Sequence, residues 1–396
     1  MKIYTCSSVG IDYFFFLGNT LKKTGYDVEE IYLIDERNYR ILAKAKGFKK
    51  VFLRFNMYIT YPLLLIVKTI FAKKKSVFIV SSNTFYAPLV VNFFSFGRVK
   101  IINLVYDLFP DALEVSDKLR ANSINAKLIG MITKANLRHT NATVYLGDYL
   151  ATHSNRRWAL PALFKTIDIS ADYSLFNYDL TSPPEDLLVF HYGGQLGHLH
   201  DVDSLISCIK NLDKYNVSKK AVFNFYISGA QARYLQKELT GDRVSVIQAV
   251  PSNQWRLDIK NFHIGIVSLT PGGATVCLPS KTYAMMGGGL AIIAICPIWS
   301  DLAKLILNLN AGWVINNSAY SDLAQINPEN YLQEIKAKRN EKDIANEFKQ
   351  LAEDLIANPS VIYQKRENAF NGVRQNFNIN NLAGKWNALI EEVIKQ

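Results

Sequence analysis

The stretch Leu278–Ile295 reads LPSKTYAMMGGGLAIIAI. Pro279 is followed by Ser280, a good helix N-cap residue, then Lys281 in the first turn and a short helical run. The triple glycine Gly287–Gly289 ends that helix, and the apolar run after it reads as a buried strand. A turn, helix, glycine and strand in this order form one unit of a parallel α/β sheet. A helix start that carries a hydroxyl, free backbone N–H groups and a lysine also suits a phosphate, and this stretch is where a nucleoside diphosphate is expected to sit.

Outward from this stretch the same alternation continues. Strands are predicted at Leu187–Tyr192, Val222–Ile227, Val244–Ile247, His263–Ser268 and Trp313–Ile315, with a helix at Val202–Leu212. The first half repeats the pattern, with strands at Lys2–Ser7, Val28–Ile34, Val77–Ser81, Val99–Tyr106 and Ala142–Leu146, and a helix at Tyr13–Lys23. Between Thr166 and Asp186 periodicity fades and turn residues collect, ending in Pro183-Pro184. The chain is therefore predicted to be α/β with two Rossmann-like, doubly wound domains. They span residues 1–168 and 187–375, with a linker at 169–186. A last helix from about Asn378 to Ile394 carries Leu382, Trp386, Leu389 and Val393 on one face.

The 396 residues are 49% apolar and 20% charged, which is ordinary for a globular protein with two cores. The four cysteines, Cys6, Cys208, Cys277 and Cys296, form no CxxC pair and suggest neither zinc nor a disulfide framework, so a reducing cytoplasm is expected. The N-terminus reads as a first strand and not as a signal peptide. The apolar segment Met57–Ala72 is short for a bilayer and is interrupted by Pro62 and Lys68, so no membrane crossing is predicted. The net charge of +11 is concentrated in the first half, and Arg37–Lys75 contains eleven basic residues and no acid. Two readings are open: a solvated basic face over a buried helix, or a peripheral contact with an anionic membrane surface. No helix-turn-helix, zinc-finger or RNP-like signature supports a nucleic-acid partner.

Several stretches, taken in order, resemble the retaining, nucleotide-sugar-dependent glycosyltransferases of GT-B fold, in particular glycosyltransferase family 4 and its bacterial polysaccharide and O-antigen branch. HYGGQLGHLHDVDSLISCI (His191–Ile209) resembles the family's strand, glycine loop and helix, and PSKTYAMMGGGLAIIAI (Pro279–Ile295) its diphosphate helix. Tyr106–Asp111 (YDLFPD) resembles its DLWPE-like segment, and Glu367–Val393 its C-terminal ending. The resemblance implies two Rossmann-like domains facing across a cleft, with the last helix, 376–396, completing the first domain.

It further implies a donor site formed by Gly193, Gly194, Gln195, Gly197, Thr275, Ser280 and Lys281, with Ser280 and Lys281 on the two phosphates. No metal or other cofactor is then needed, because Lys281 itself neutralises the leaving diphosphate. Asp201 and Asp203 mimic a DxD metal motif, but their place just before a helix favours capping. On the acceptor side the resemblance points to Asp107 as the catalytic carboxylate, whose alternative role is capping the strand-to-helix turn. Asp111, Glu114, Ser8 and Gly10 are secondary candidates near the acceptor, a glycan or a polyprenyl-linked glycan.

The chain departs from the family pattern at five positions. Gln195 and His200 stand where many members carry an arginine and a lysine, Ala284 and Val276 stand in place of two glutamates, and Leu104 in place of a histidine. These departures leave three functions open: transfer of a sugar in cell-surface polysaccharide synthesis at the inner face of the plasma membrane, a catalytically impaired scaffold of the same fold, and a related nucleotide-sugar epimerase.

Overall fold

A computed structural model describes residues 1–42, 45–176, 187–214, 220–327 and 330–396. Most of the predicted linker, including Pro183-Pro184, lies outside the described residues. The chain forms two compact units. One comprises Met1–Ser170, Val276–Leu278 and Ile379–Gln396; the other comprises Ala171–Thr275 and Pro279–Asn378.

The first unit is built on β1 (Lys2–Cys6), β3 (Asp27–Ile31), β5 (Val77–Ser81), β6 (Lys100–Val105), β7 (Ala142–Tyr145) and β8 (Phe164–Thr166), in the order β3-β1-β5-β6-β7-β8. Every neighbouring pair is parallel. β5 reads VFIVS and is buried throughout, as a central parallel strand covered by helices on both faces must be. Two short strands, β2 (Val9–Gly10) and β4 (Ile34–Asp35), pair beside the main sheet. The C-terminal helix Ile379–Lys395 packs in this unit, where Tyr26 Oη donates to Asn387 Oδ1 at 2.5 Å.

The second unit is built on β9 (Leu188–Gln195), β10 (Ala221–Ser228), β11 (Val244–Gln248), β12 (Ile264–Ser268), β13 (Ala291–Ile295) and β14 (Gly312–Ile315). Their order, β11-β10-β9-β12-β13-β14, is that of a dinucleotide-binding sheet and is again all parallel. β12 and β13, IGIVS and AIIAI, are fully buried.

In each sheet the strand order reverses once, between β1 and β5 and between β9 and β12. Ligands of open α/β sheets bind beyond the carboxyl ends of the strands at this reversal. The loops after β1, β5, β6, β9 and β12 are therefore where function is sought.

One prediction is corrected. The apolar segment Met57–Ala72 does not stand alone, because the helix starts at Gly47 and runs 25 residues to Phe71. Pro62 does not interrupt it: a π-helical turn at Asn56–Thr60 precedes the proline, which sits in the first turn of the segment that follows. By length and composition this is the one helix among the described residues that could cross a membrane.

Candidate functional site

In the second unit the sheet reversal gathers the ends of β9 and β12. β9 ends in Gly193, Gly194 and Gln195, and Gly194 has φ +106°, a conformation that only glycine adopts without strain. A side chain on Gly193 would strike His191 and the Trp255 indole at 2.8 Å, so packing alone demands that glycine. Around Gly197 there is open space instead. Gly197 O and His200 O accept hydrogen bonds from Gln231 Nε2, which fixes the loop.

Lys281 opens the seven-residue helix Lys281–Gly287, and its side chain lies against this loop. Nζ donates to Tyr192 Oη at 2.5 Å and to Gln195 O at 3.5 Å, and lies 3.8 Å from the centre of the Tyr192 ring. Tyr192 is fully buried, so the ammonium is held at the mouth of the glycine turn. His200 adds no charge: burial, reinforced by Lys281, holds its pKa well below the ordinary value, and its Nδ1–H donates to Ser268 O at 2.7 Å. His191 is likewise neutral, its pKa pushed by burial down to about 3, and its Nε2 accepts from Trp255 Nε1.

Ser280 occupies the N-cap position but makes no side-chain capping bond. Thr275 is buried, its hydroxyl donating to Gly272 O at 2.8 Å. Ala284 lies in the same short helix as Lys281, and Val276 is fully buried and belongs to the first unit, where its carbonyl accepts from Leu108 N–H. Asp201 is committed to structure: its carboxylate accepts from Ser204 N–H, Lys338 Nζ and Asn317 Nδ2 at 3.2, 2.8 and 2.7 Å. Among the described residues no three His, Cys, Asp or Glu side chains converge as a metal site would require.

The glycines after the helix have a packing reason. Arg366, almost wholly buried, donates to Gly289 O at 2.7 Å, and Arg374 donates to Gly287 O at 2.9 Å. A side chain on Gly287 or Gly288 would strike Tyr173 or Ile259 at 2.5 Å, and Gly289 has φ +81°.

In the first unit the ends of β1, β5 and β6 bring together Ser7, Ser82, Asn83, Tyr106 and Asp107. Ser82 Oγ donates to Asp107 O at 2.8 Å and accepts from the N–H groups of Tyr106 and Asp107, locking the turn that presents the aspartate. Asn83 Nδ2 donates to Ser7 Oγ, and the rings of Tyr13 and Tyr106 meet at a tilt, 4.6 Å apart. No donor among the described residues meets the Asp107 carboxylate, and burial pushes its pKa up to about 6. Asp107 does not cap a helix: the next one begins at Asp111, with Pro110 at its N-cap.

Asp111 sits apart from this cluster. It is fully buried and accepts from His153 Nε2, Arg157 Nη1 and Trp158 Nε1 at 2.7, 2.5 and 2.7 Å, and Glu114 shares Arg157 at 2.7 Å. Burial raises the Asp111 pKa, but these partners outweigh it and hold the group below the usual carboxylate range. Ser8 is buried, and a side chain on Gly10 would strike the Tyr32 ring at 2.6 Å, so that glycine answers to packing. Beside Tyr13 and Tyr106 a shallow pocket is lined by Leu17, Leu104, Asp168 and Trp386.

Sequence reasoning missed Tyr192, Ser82, Asn83 and Tyr13. Ser82 and Asn83 directly follow a buried strand at the sheet reversal, a position that strand order alone would have flagged.

No protein-family model matches the chain. A probable glycosyltransferase of Pseudomonas aeruginosa, WbjE, is 21% identical over 228 residues. That match covers 54% of this chain and 55% of the relative, so the chain spans about half the length of the curated relative it matches. Among solved structures, sucrose-phosphate synthase of Thermosynechococcus elongatus is similar over 100% of this chain and 99% of its own, with a TM-score of 0.64 at 12% identity. HepE of Anabaena, solved in complex with UDP-glucose, is similar over 100% and 99%, with a TM-score of 0.64 at 13% identity. The fold is therefore the GT-B fold that the sequence predicts.

Proposed function

We propose that the protein is a retaining glycosyltransferase that moves a sugar from a nucleoside diphosphate-sugar to a glycan or polyprenyl-linked glycan, in the cytoplasm, during cell-surface polysaccharide synthesis. The observation that carries this reading is the Lys281 ammonium, fixed by Tyr192 at the mouth of the Gly193–Gln195 turn at the sheet reversal. The likeness to glycosyltransferases in sequence and fold supports it.

In this reading the diphosphate lies over Gly194, Gln195 and Gly197, with Ser280 beside it and Thr275 toward the donor sugar. Lys281 stabilises the charge that grows on the departing phosphate as the sugar C1–O bond breaks. With a fixed cation there, and neutral His200 and His191 beside it, no divalent ion is assigned to the site. Asp107 orients the sugar or the acceptor hydroxyl, which forms the new bond to C1 on the face that the diphosphate leaves. Ala284 cannot grip the ribose, so backbone groups of the glycine loop take that role.

Titration calorimetry against UDP-, GDP- and dTDP-sugars tests the reading. One donor is expected to bind, and Lys281→Ala to weaken it by roughly tenfold or more while thermal unfolding is unchanged. Folded wild-type protein that binds no donor would instead leave a scaffold of the same fold.

A further inference from the structure

The helix Gly47–Phe71 carries two apolar stripes. One runs through Leu53, Met57, Tyr61, Leu65 and Thr69, all buried against the first unit. The other, two residues further on and so about 200° around the helix, runs through Phe48, Phe52, Phe55, Ile59, Leu63 and Val67. These six are between 46% and 83% exposed. A helix at the surface of a water-soluble unit needs only one apolar face.

The charges around the outer stripe are all of one sign. Lys49 lies beside Phe48 and Phe52 and Arg54 beside Phe55, Lys73–Lys75 follow the 82%-exposed Phe71, and no acid occurs from Arg37 to Lys75. Apolar side chains along a line about 29 Å long, with basic groups beside them, match a flat, anionic, partly apolar partner.

We infer that this outer stripe lies in the headgroup layer of an anionic phospholipid bilayer, with the helix in the membrane plane. The phenylalanines enter the acyl boundary, and the lysines and Arg54 reach phosphate on their aliphatic stems. The helix does not cross the bilayer, because its inner stripe is occupied by the first unit: Tyr61 and Leu65 pack with Phe78 and Val80 of β5. This surface stands apart from the sugar-transfer reading, and its test does not involve turnover.

The test is flotation of the full chain with phosphatidylcholine vesicles, with and without about one third phosphatidylglycerol. Binding to the anionic vesicles is expected, at least tenfold weaker to the neutral ones. Lys49→Glu/Arg54→Glu should abolish the difference, and Phe52→Ser/Phe55→Ser should weaken binding to both by tenfold or more. Phe52→Trp keeps an aromatic ring at an exposed position, and the fluorescence that this substitution adds should shift to the blue when anionic vesicles are added. Three results would overturn the inference: no flotation with anionic vesicles, no blue shift in the Phe52→Trp variant, or a dimer in sedimentation that Phe52→Ser/Phe55→Ser dissociates. Retention on vesicles after an alkaline carbonate wash would overturn the in-plane placement.

Discussion

The carboxylate of Asp107 is desolvated without compensation from any donor among the described residues, and its pKa rises to about 6. Its native state therefore holds a proton that the unfolded chain has already lost between about pH 4 and pH 6. Stability falls as pH rises through that window, by about 1–3 kcal/mol for a group that is only partly exposed. Asp107→Asn should remove that slope, so that urea unfolding finds the variant more stable than wild type at pH 7 and equal to it at pH 4. The same substitution should lower turnover at pH 7 at least tenfold if the carboxylate orients a substrate hydroxyl, and an unchanged rate would reduce Asp107 to a structural oddity of the turn. Lys281 is placed differently. Tyr192 holds its ammonium through a neutral hydroxyl, a contact that positions the charge without cancelling it. The chemical type of both residues was legible in the sequence; their surroundings were not, because Ser82 and Tyr192 reach them across separate strands.

The element that joins helix and sheet at Gly287–Gly289 was legible as a helix stop but not as a packing device. The helix Ser360–Asn376, some seventy residues further on, brings Arg366 and Arg374 onto the glycine carbonyls, and no local pattern announces that approach. Gly289→Ala forces a left-handed residue and should destabilise the second unit by about 1–2 kcal/mol, read as a lower urea midpoint at unchanged slope. The long helix Gly47–Phe71 went the other way. Its buried half was visible as an apolar run, whereas its continuation across Pro62 depends on a π-helical turn that sequence periodicity does not encode.

Across the whole molecule, the two units should respond oppositely to acid above pH 4. The second unit contains three histidines whose pKa values burial depresses: His191 to about 3, His263 to about 4, and His200 well below its ordinary value. Each is neutral in the native state and takes up a proton near pH 6.5 when unfolded. Stability is thus fully present above pH 6.5 and is lost as pH falls, by up to about 1.4 kcal/mol per histidine per pH unit. Asp107 in the first unit gains stability over the same descent. Hydrogen exchange read by mass spectrometry at pH 7 and pH 5 should show faster opening of β9–β14 and slower opening of β1–β7 at pH 5; uniform loss of protection would refute it.

By itself the sequence determined most of the strands and the parallel class of both sheets, because strand-helix alternation and fully apolar strands allow few other arrangements, and its resemblance to known glycosyltransferases pointed to the GT-B fold. It also determined which residue types stand at the strand ends. Tertiary structure alone decided how those residues are used. Asp107 is left without a donor among the described residues while Asp111, four residues on, is buried among His153, Arg157 and Trp158. Lys281 meets the glycine turn 86 residues before it, and the outer stripe of Gly47–Phe71 is left exposed. These outcomes rest on contacts between residues far apart in the chain, and burial, which sets both charge state and exposure, is a property of the packed molecule and not of any local stretch.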